Sequence, residues 1–541
     1  MKTLQCLLKS LSDLTPQQSS IQINNITNDS RSVTKNTLFL AYKGEKSDGR
    51  KYIQQAIEKG AVAICYEPEE NSLGATHHPP FTKGVIMVPI PNLKVIQSTI
   101  AARFYDFPST KVPVICVTGT NGKTSVTHFI AQALNFITPF DKGGREIQTQ
   151  SESNRGDFCG IIGTIGYGFL PELKKTINTT PDGVQLQKIF SELIDQGAKT
   201  ITMEVSSHAL DQQRTNDIQF HTAVFTNLTQ DHLDYHITME KYRDAKELLF
   251  QQPGLKNAII NIDDDAGKYF AHKLRTQNVS ERKLQSTHLN FAMQVEKLNI
   301  VTYSLHNKNA SIHVEKCIPT ERGFDLKIKT PWGVGEFHLP LIGEFNIYNV
   351  LAVVGVLGVL KNSPGSIQTV SESPDPLFQR GLSHLTTVPG RMELVKSSPS
   401  IIIDYAHTPD ALEKVLQSVG THCSGKLICV FGCGGNRDKT KRPIMGAIAE
   451  KLSDYVIITN DNPRDEDPKI IAKEIVSGMT DKNHFLIALD RAMAIKKAIQ
   501  SAGENDWIVI AGKGHETEQI IGDQVLHHSD KECARRFHQS L

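Results

Sequence analysis

The chain has 541 residues, 39% of them hydrophobic, which suits roughly three to four packed domains. Its 59 Lys and Arg against 58 Asp and Glu leave a formal charge of +1, so composition offers no electrostatic case for a nucleic-acid or anionic-membrane partner. The nine cysteines show no framework spacing, and Cys429 and Cys433 lack a second pair to complete a zinc site; they are read as reduced thiols.

The opening segment MKTLQCLLKSLSDL is predicted as an amphipathic helix, since Lys9 interrupts its apolar run and no small-residue cleavage site follows. No apolar run reaches the ~20 residues of a membrane helix, and a cytoplasmic protein is expected. Strands are predicted over Thr37–Tyr42, Ala61–Tyr66 and Val85–Pro89, with a helix over Gly49–Lys59. They make a small α/β unit at 1–110. A second unit, 111–388, opens on an apolar run at Val114 and continues through β-branched runs at Thr200–Val205, Thr222–Thr226 and Asn257–Ile262. Helical patterns lie between these runs, which implies a mostly parallel sheet. The stretch Asp141–Asp157 has Ile147 as its only aliphatic residue and is expected to be a mobile loop. Gly381–Pro389 reads as a linker. A third unit, 389–541, repeats the theme with strands at Ser400–Asp404, Leu427–Phe431, Tyr455–Thr459 and Trp507–Ala511. The expected class is α/β.

The strongest chemical signal is Thr118-Gly119-Thr120-Asn121-Gly122-Lys123-Thr124, between the Val114 strand and a helix predicted over Ser125–Leu134. Strand, glycine loop and helix make a phosphate-binding loop, in which backbone N–H groups and the positive helix end hold phosphate oxygens. Lys123 is expected to reach the terminal phosphates, and the Thr124 hydroxyl to ligate Mg²⁺. The usual leading glycine is replaced by Val117, so the motif is a shortened one. ATP is the expected nucleotide.

Ligands of such sheets sit beyond the carboxyl ends of strands. Glu204 ends a strand there, where these folds place a Mg²⁺ partner. The loop Thr229–His236 packs two Asp and two His into eight residues. Thr180 is predicted to cap a helix with Pro181 in its first turn. In the third unit, four successive strand ends deliver the polar loops Asp404–Asp410, Gly432–Lys439, Asn460–Asp465 and Gly512–Glu516. Arg437 and Arg464 offer forked donors suited to carboxylates. Asp461 and Glu516 offer acceptors for an ammonium. Carboxylates and an ammonium together describe an amino acid.

The segments TGTNGKT (118–124), MEVSSHAL (203–210), FTNLTQDHLDYH (225–236), GEFNIYN (343–349), GRME (390–393), DYAHTPDAL (404–412) and AGKGHE (511–516) resemble the motifs of the Mur ligases, ATP-dependent enzymes of bacterial peptidoglycan assembly. The resemblance covers essentially the whole chain and implies an insertion at about 136–158. It implies a three-domain architecture: a small N-terminal α/β domain for a uridine nucleotide, a central P-loop parallel-sheet ATPase domain, and a C-terminal Rossmann-like domain for an amino acid. Asp461-Asn462-Pro463-Arg464 resembles the D-N-P-R of members that add meso-diaminopimelate, whereas lysine-adding relatives carry another residue at the arginine position. A site built to pair an acceptor carboxylate with Arg464 rejects a ligand that leaves the guanidinium unpaired.

The same resemblance implies roles. Gly119, Thr120, Asn121, Gly122, Lys123 and Thr124 would bind ATP, with Asn346 and Arg391 from the hinge region and Asp404 on the ribose side. Asn28 and Ser30, with Glu45, Lys46 and Ser47 in a second loop of weaker pattern, would hold the uridine nucleotide. Asn178, Thr179, Thr180, Ser206, Gln212 and Arg214 would contact the muramoyl-dipeptide of UDP-N-acetylmuramoyl-L-alanyl-D-glutamate. Arg437, Asp461, Asn462, Pro463, Arg464, Gly512 and Glu516 would hold diaminopimelate. Lys123, Glu204, His232 and Lys246 would be catalytic. Thr124, Glu204, His232 and Lys246 would face Mg²⁺, with Lys246 carbamylated to N6-carboxylysine. The implied reaction runs through an acyl phosphate and needs closure of the units over ATP. A monomer without nucleic-acid or membrane partners is expected. Three rivals are a P-loop switch or motor NTPase, a folylpolyglutamate synthetase and a lysine-adding ligase; they give no account of the amino-acid-binding loops, of Asn28–Arg31 with D-N-P-R, and of Arg464, respectively.

Overall fold

The computed structural model describes residues 1–44, 47–68, 84–136, 159–176, 178–252, 254–276, 297–320, 323–361, 381–481 and 483–539. Glu45, Lys46 and the polar insertion beyond residue 136 lie outside them.

Near the N-terminus, four parallel strands (Asn25–Thr27, Thr37–Ala41, Ala61–Tyr66, Ile86–Pro89) form one sheet. The opening segment is not one amphipathic helix. Lys2–Thr3 pairs with Gln22–Ile23, and the helix is confined to Leu4–Leu8, capped by the Thr3 side chain. Only Leu4, Leu7 and Leu8 find apolar cover there. The helix predicted over Gly49–Lys59 starts as a tight 3₁₀ turn, Gly49–Tyr52, before Ile53–Glu58 becomes α-helical. The helix Leu93–Phe104 lies on the helix Gly183–Asp195, and Val184 enters the N-terminal core. This contact joins the first sheet to the second.

The second sheet has eleven strands among the described residues. Seven run parallel, in the spatial order Cys159–Ile162, Thr200–Glu204, Val114–Thr118, Thr222–Phe225, Asn257–Asn261, Asn299–Ser304, Ile312–Thr320. Gly323–Thr330 and Gly333–Leu339 extend it as an antiparallel meander. The phosphate-loop strand sits in the middle, its neighbours ending in Glu204 on one side and Phe225 on the other. Both flanking loops therefore reach the phosphate loop.

The helix Glu344–Lys361 is long and apolar enough by composition to cross a bilayer, but 72% of that window is buried. It packs against the phosphate-loop helix and the sheet. A helix apolar on every side belongs in the core of a large protein as readily as in lipid.

The third sheet has six strands among the described residues, in the order Glu393–Ser397, Ser400–Asp404, Trp507–Ala511, Leu427–Phe431, Tyr455–Ile458, Phe485–Ile487. All but the first run parallel. The loops after Asp404, Ala511, Phe431 and Ile458 thus leave one edge. Gly381–Pro389 is not a free linker: Leu382, Leu385 and Val388 are buried in the central core, and Gln132 clamps the Thr386 backbone from both sides, at 2.9 and 3.2 Å. All nine cysteines are free thiols.

Candidate functional site

The helix after the phosphate loop begins at Lys123, two residues earlier than predicted, which places Lys123 and Thr124 in its first turn. Thr120 N donates to the Asn227 carbonyl at 2.9 Å, and Asn121 N to Asn227 Oδ1 at 2.9 Å. The loop is thereby held to the end of the neighbouring strand. Lys123 Nζ donates to the carbonyls of Gly119 and Thr120, each at 2.9 Å. Burial lowers the Lys123 pKa, against the attraction of Glu204 and Asp231.

Gly119 has φ +153°, and a Cβ there would lie 1.9 Å from Thr226 Oγ1. Gly119→Ala is therefore expected to displace the loop and abolish detectable ATP binding by calorimetry while the protein remains folded. Unchanged ATP affinity would remove this loop from the nucleotide site.

Glu204 is buried, with 1% exposure. It accepts from Thr124 Oγ1 at 2.9 Å, Thr164 N at 2.7 Å and Thr164 Oγ1 at 3.0 Å. Thr124 and Glu204 are hard oxygen donors side by side, the chemistry Mg²⁺ prefers. Among the described residues no three His, Cys, Asp or Glu cluster as a metal cage.

His232, at φ +54°, pairs with Asp231 at 3.5 Å and meets His208 edge to face at 4.9 Å. Burial pushes its pKa down to about 4 against the pull of Asp231, so it is neutral near pH 7. Lys246 is buried, with its Nζ 4.3 Å above the Tyr242 ring. Burial first, then the charge of Lys123, drives its pKa well below the usual lysine range. Tyr242 in turn shares a 3.2 Å hydrogen bond with the Thr120 hydroxyl, so Lys246 stands one ring away from the phosphate loop.

The third sheet closes on the loop from the other side. Asn121 Nδ2 donates to Asp410 Oδ2 at 2.9 Å, and Arg391 Nη2 to Thr124 Oγ1 at 3.3 Å. Arg391 also covers the Tyr405 ring at 4.5 Å. Between them lies a cavity of about 700 Å³, lined on one side by Asn121, Gly122 and Asn346, and on the other by Arg391, Asp404 and His407. Asn346 Nδ2 donates to the Ile342 carbonyl at 2.8 Å. Asp404 accepts from the amides of Met392 and Ala406 at 2.7 and 2.8 Å, so it also braces the GRME segment.

Thr180 is not the helix cap. Asp182 is, accepting from Val184 N and Gln185 N, while Thr180 Oγ1 donates to the Glu204 carbonyl at 3.0 Å and accepts from Ser206 N at 3.1 Å. Arg214 Nη1 donates to the Thr180 carbonyl at 3.1 Å and Nε to Gln212 Oε1 at 2.9 Å. The Thr179 and Thr164 hydroxyls share a hydrogen bond at 3.1 Å. Thr179, Thr180, Ser206, Gln212 and Arg214 thus form one hydrogen-bonded rim beside Glu204. Asn178 is exposed. From the first sheet, Asn28 donates to Tyr42 and Gln97, each at 3.1 Å; burial raises the Asp182 pKa, and the nearby Asn28 works against that rise. Ser30 donates to Gln55 at 2.7 Å. Ser47 is exposed.

At the far end, Asn462 Nδ2 donates to Glu516 Oε2 at 3.1 Å, and Asn462 N to Asp461 Oδ1 at 2.8 Å. Arg464 has φ +52°, held by backbone bonds to Ile520 and Gly522, and its Nη1 donates to the Gly435 carbonyl at 2.8 Å. Burial lowers its pKa, with the nearby Arg437 acting the same way and Asp461 and Glu516 opposing. Gly512, at φ +113°, brings bare backbone up to Asp461: a Cβ would stand 2.7 Å from Oδ2. Arg437 is exposed at the rim, and Pro463 is buried behind Arg464. Two cations and two carboxylates therefore lie near one another at this edge. Sequence reasoning passed over Lys513, fully buried, which donates to Asn462 Oδ1 at 3.1 Å and Glu516 Oε2 at 2.8 Å, although it lies inside the AGKGHE segment. Thr164 was also missed, and nothing in its own stretch of sequence marks it.

Comparison with known proteins agrees along the whole length. The Mur ligase family catalytic domain matches residues 22–117, the Mur ligase middle domain 117–290 and 281–357, and the Mur ligase glutamate ligase domain 390–514. A UDP-N-acetylmuramoyl-L-alanyl-D-glutamate--2,6-diaminopimelate ligase of Coxiella burnetii is 46% identical over 522 residues, 95% of this chain and 96% of its own. The chain belongs to the Mur ligase family. A Pseudomonas aeruginosa ligase of the same name is 40% identical over 97% of both chains. A solved structure bearing that name superposes with a TM-score of 0.65 at 29% identity, covering 100% of this chain and 99% of its own. The α/β, three-domain Mur ligase architecture holds for this chain.

Proposed function

We propose that this Mur ligase joins meso-2,6-diaminopimelate to UDP-N-acetylmuramoyl-L-alanyl-D-glutamate at the expense of ATP, as a cytoplasmic, monomeric enzyme of peptidoglycan precursor synthesis. The units 1–110, 111–388 and 389–541 would hold the nucleotide end of the substrate, ATP and the amino acid in turn. The observation that carries the reading is the Arg464, Asp461, Asn462 and Glu516 cluster on the same sheet edge that closes over the phosphate loop. The names of relatives at 46% and 40% identity support it.

In this reading the D-Glu carboxylate of the nucleotide substrate attacks the γ-phosphorus of ATP, and ADP leaves. The diaminopimelate amine, having given up its proton, attacks the acyl carbon. The tetrahedral intermediate expels inorganic phosphate and leaves an amide. Phosphoryl transfer is served by positioning and charge neutralisation. The phosphate-loop amides and Lys123 would bind the phosphates, while Asn346, Arg391 and Asp404 line the rest of the ATP cavity. The Thr180–Arg214 rim, with Asn178 and Thr179, would present the dipeptide carboxylate, and Asn28, Ser30 and the loop 45–47 the uridine end. Thr124, Glu204, His232 and a carbamylated Lys246 would hold Mg²⁺, which supplies charge neutralisation at the phosphates when bound. Arg437, Asp461, Asn462, Pro463, Arg464, Gly512 and Glu516 would seat the acceptor.

The test is a product assay. Enzyme, ATP and the UDP-muramoyl-dipeptide are mixed with either meso-diaminopimelate or lysine, and the product is weighed by mass spectrometry. A tripeptide product containing diaminopimelate is expected. A lysine-containing product, or ATP hydrolysis with no product, overturns the reading.

A further inference from the structure

The acceptor loops follow two strands that do not touch. Tyr455–Ile458 leads to Asp461, and Trp507–Ala511 leads to Gly512, but Leu427–Phe431 lies between them. No ladder hydrogen bond therefore sets the distance between Asp461 and Gly512. Two buried side chains span it: Lys513, which donates to Asn462, and Arg491, which reaches the backbone of both loops. Arg491, first residue of the helix Arg491–Ser501, has 1% exposure. Its Nη1 donates to the Asn460 carbonyl at 3.2 Å and its Nη2 to the Ala511 carbonyl at 2.9 Å. These are the residues immediately before Asp461 and Gly512.

The guanidinium is itself fixed. Arg491 Nε and Nη2 meet Asp530 Oδ1 and Oδ2 at 2.7 Å each, with both side chains at 0% exposure. His528 Nε2 lies 2.9 Å from Asp530 Oδ1. A buried pair with one partner removed is strongly destabilising, whereas an apolar replacement of the whole pair is often neutral. Stability alone is thus a weak reason for an ion pair here. Arg491 also acts electrostatically on Asp461 and Glu516 from behind. Glu516 is already paired with Lys513, so Asp461 is the carboxylate left for a cation, and the Asp530 carboxylate offsets the Arg491 charge that would otherwise compete for it.

We infer that the Arg491–Asp530 pair is a positioning device for the amino-acid acceptor, setting the spacing of the Asp461 and Gly512 loops and screening its own charge from the ammonium site. This deepens the proposed function and rests on it. Arg491→Lys keeps the charge and loses the fork. Asp530→Asn keeps the shape and leaves the guanidinium uncompensated. Each is expected to raise KM for meso-diaminopimelate by about tenfold or more, with KM for ATP and for the nucleotide substrate within about twofold of wild type. A merely structural role would move all three together.

Should both buried variants fail to fold, His528→Ala tests the same pair from its rim, and a rise confined to the acceptor KM is again expected. A folded variant with unchanged acceptor KM, or with equal rises for all substrates, overturns the inference. Failure of the underlying reading looks different: the wild-type protein then incorporates no diaminopimelate at all.

Discussion

Lys246→Ala is expected to lower kcat by about two orders of magnitude or more, with ATP binding retained and partial recovery on adding short carboxylates such as formate or acetate. The expectation starts from where the side chain is. Lys246 lies on the helix Met239–Glu247 and is buried at 1% exposure, with its Nζ over the Tyr242 ring. A lysine on an ordinary helix face would extend into water, and burying an unpaired ammonium is costly. Neutral amine is the form burial favours, and neutral amine is the form that adds CO₂. The product is a carbamate, with one proton released, so a neutral amine near Lys123 and Asp231 becomes an anion. Carbamate loading is expected to fall as pH drops through the folded-state pKa of this amine, because protonation removes the nucleophile. A free carboxylate filling the space left in the alanine variant replaces the carbamate's charge, which is why rescue should follow the size of the added acid. Wild-type turnover in the variant, or lost turnover that no carboxylate restores together with no ¹³C-bicarbonate label on the native lysine, would take carbamylation out of the mechanism.

The phosphate loop was legible because its parts are contiguous. Strand, Gly119 and Gly122-Lys123-Thr124 stand in 11 residues, Val114 to Thr124, so a local stretch of sequence carries the whole device. The polar loops of the third sheet were legible because their strands were: four apolar runs, read as parallel, send their loops to one edge. What escaped was decided by contacts distant in sequence. Thr180 and Asp182 are both good capping residues, and the Glu204 carbonyl, 24 residues on, claims the Thr180 hydroxyl. Lys513 is a surface residue by composition, buried here because Asn462, 51 residues earlier, accepts from it. The meander from Ile312 to Leu339 carries mixed Lys and Glu on half-exposed strands, so its alternation is blurred. Leu382, Leu385 and Val388 are three apolar residues scattered among polar ones in a short stretch, and only the central core they meet shows that they are buried.

Arg464→Asn is expected to raise KM for meso-diaminopimelate by about 10- to 100-fold, the loss of a hydrogen-bonded charge pair, while KM for ATP stays within about twofold. Asparagine is chosen over alanine because Arg464 sits at φ +52°, a region alanine enters only at a cost and asparagine tolerates. The backbone there is fixed by Arg464 N to the Ile520 carbonyl at 3.1 Å and Gly522 N to the Arg464 carbonyl at 2.8 Å, so the substitution should alter the side chain without moving the loop. In the native site Nη1 is anchored on the Gly435 carbonyl, which aims the rest of a rigid fork. Arg437 lies close enough to depress the Arg464 pKa, and Asp461 and Glu516 sit near enough to raise it. Two neighbouring guanidinium groups call for an anion between them, and Asp461, unlike Glu516 with its Lys513 partner, calls for a cation. Meso-diaminopimelate brings a carboxylate and an ammonium at its far end, whereas lysine brings only the ammonium. Lysine would leave Arg464 desolvated and unpaired, a penalty the asparagine variant no longer imposes. The variant should therefore lose discrimination from one side only: diaminopimelate binding weakens while lysine use stays level or improves. Equal losses for diaminopimelate, lysine and ATP would mean that Arg464 supports the fold of this edge and does not read the acceptor.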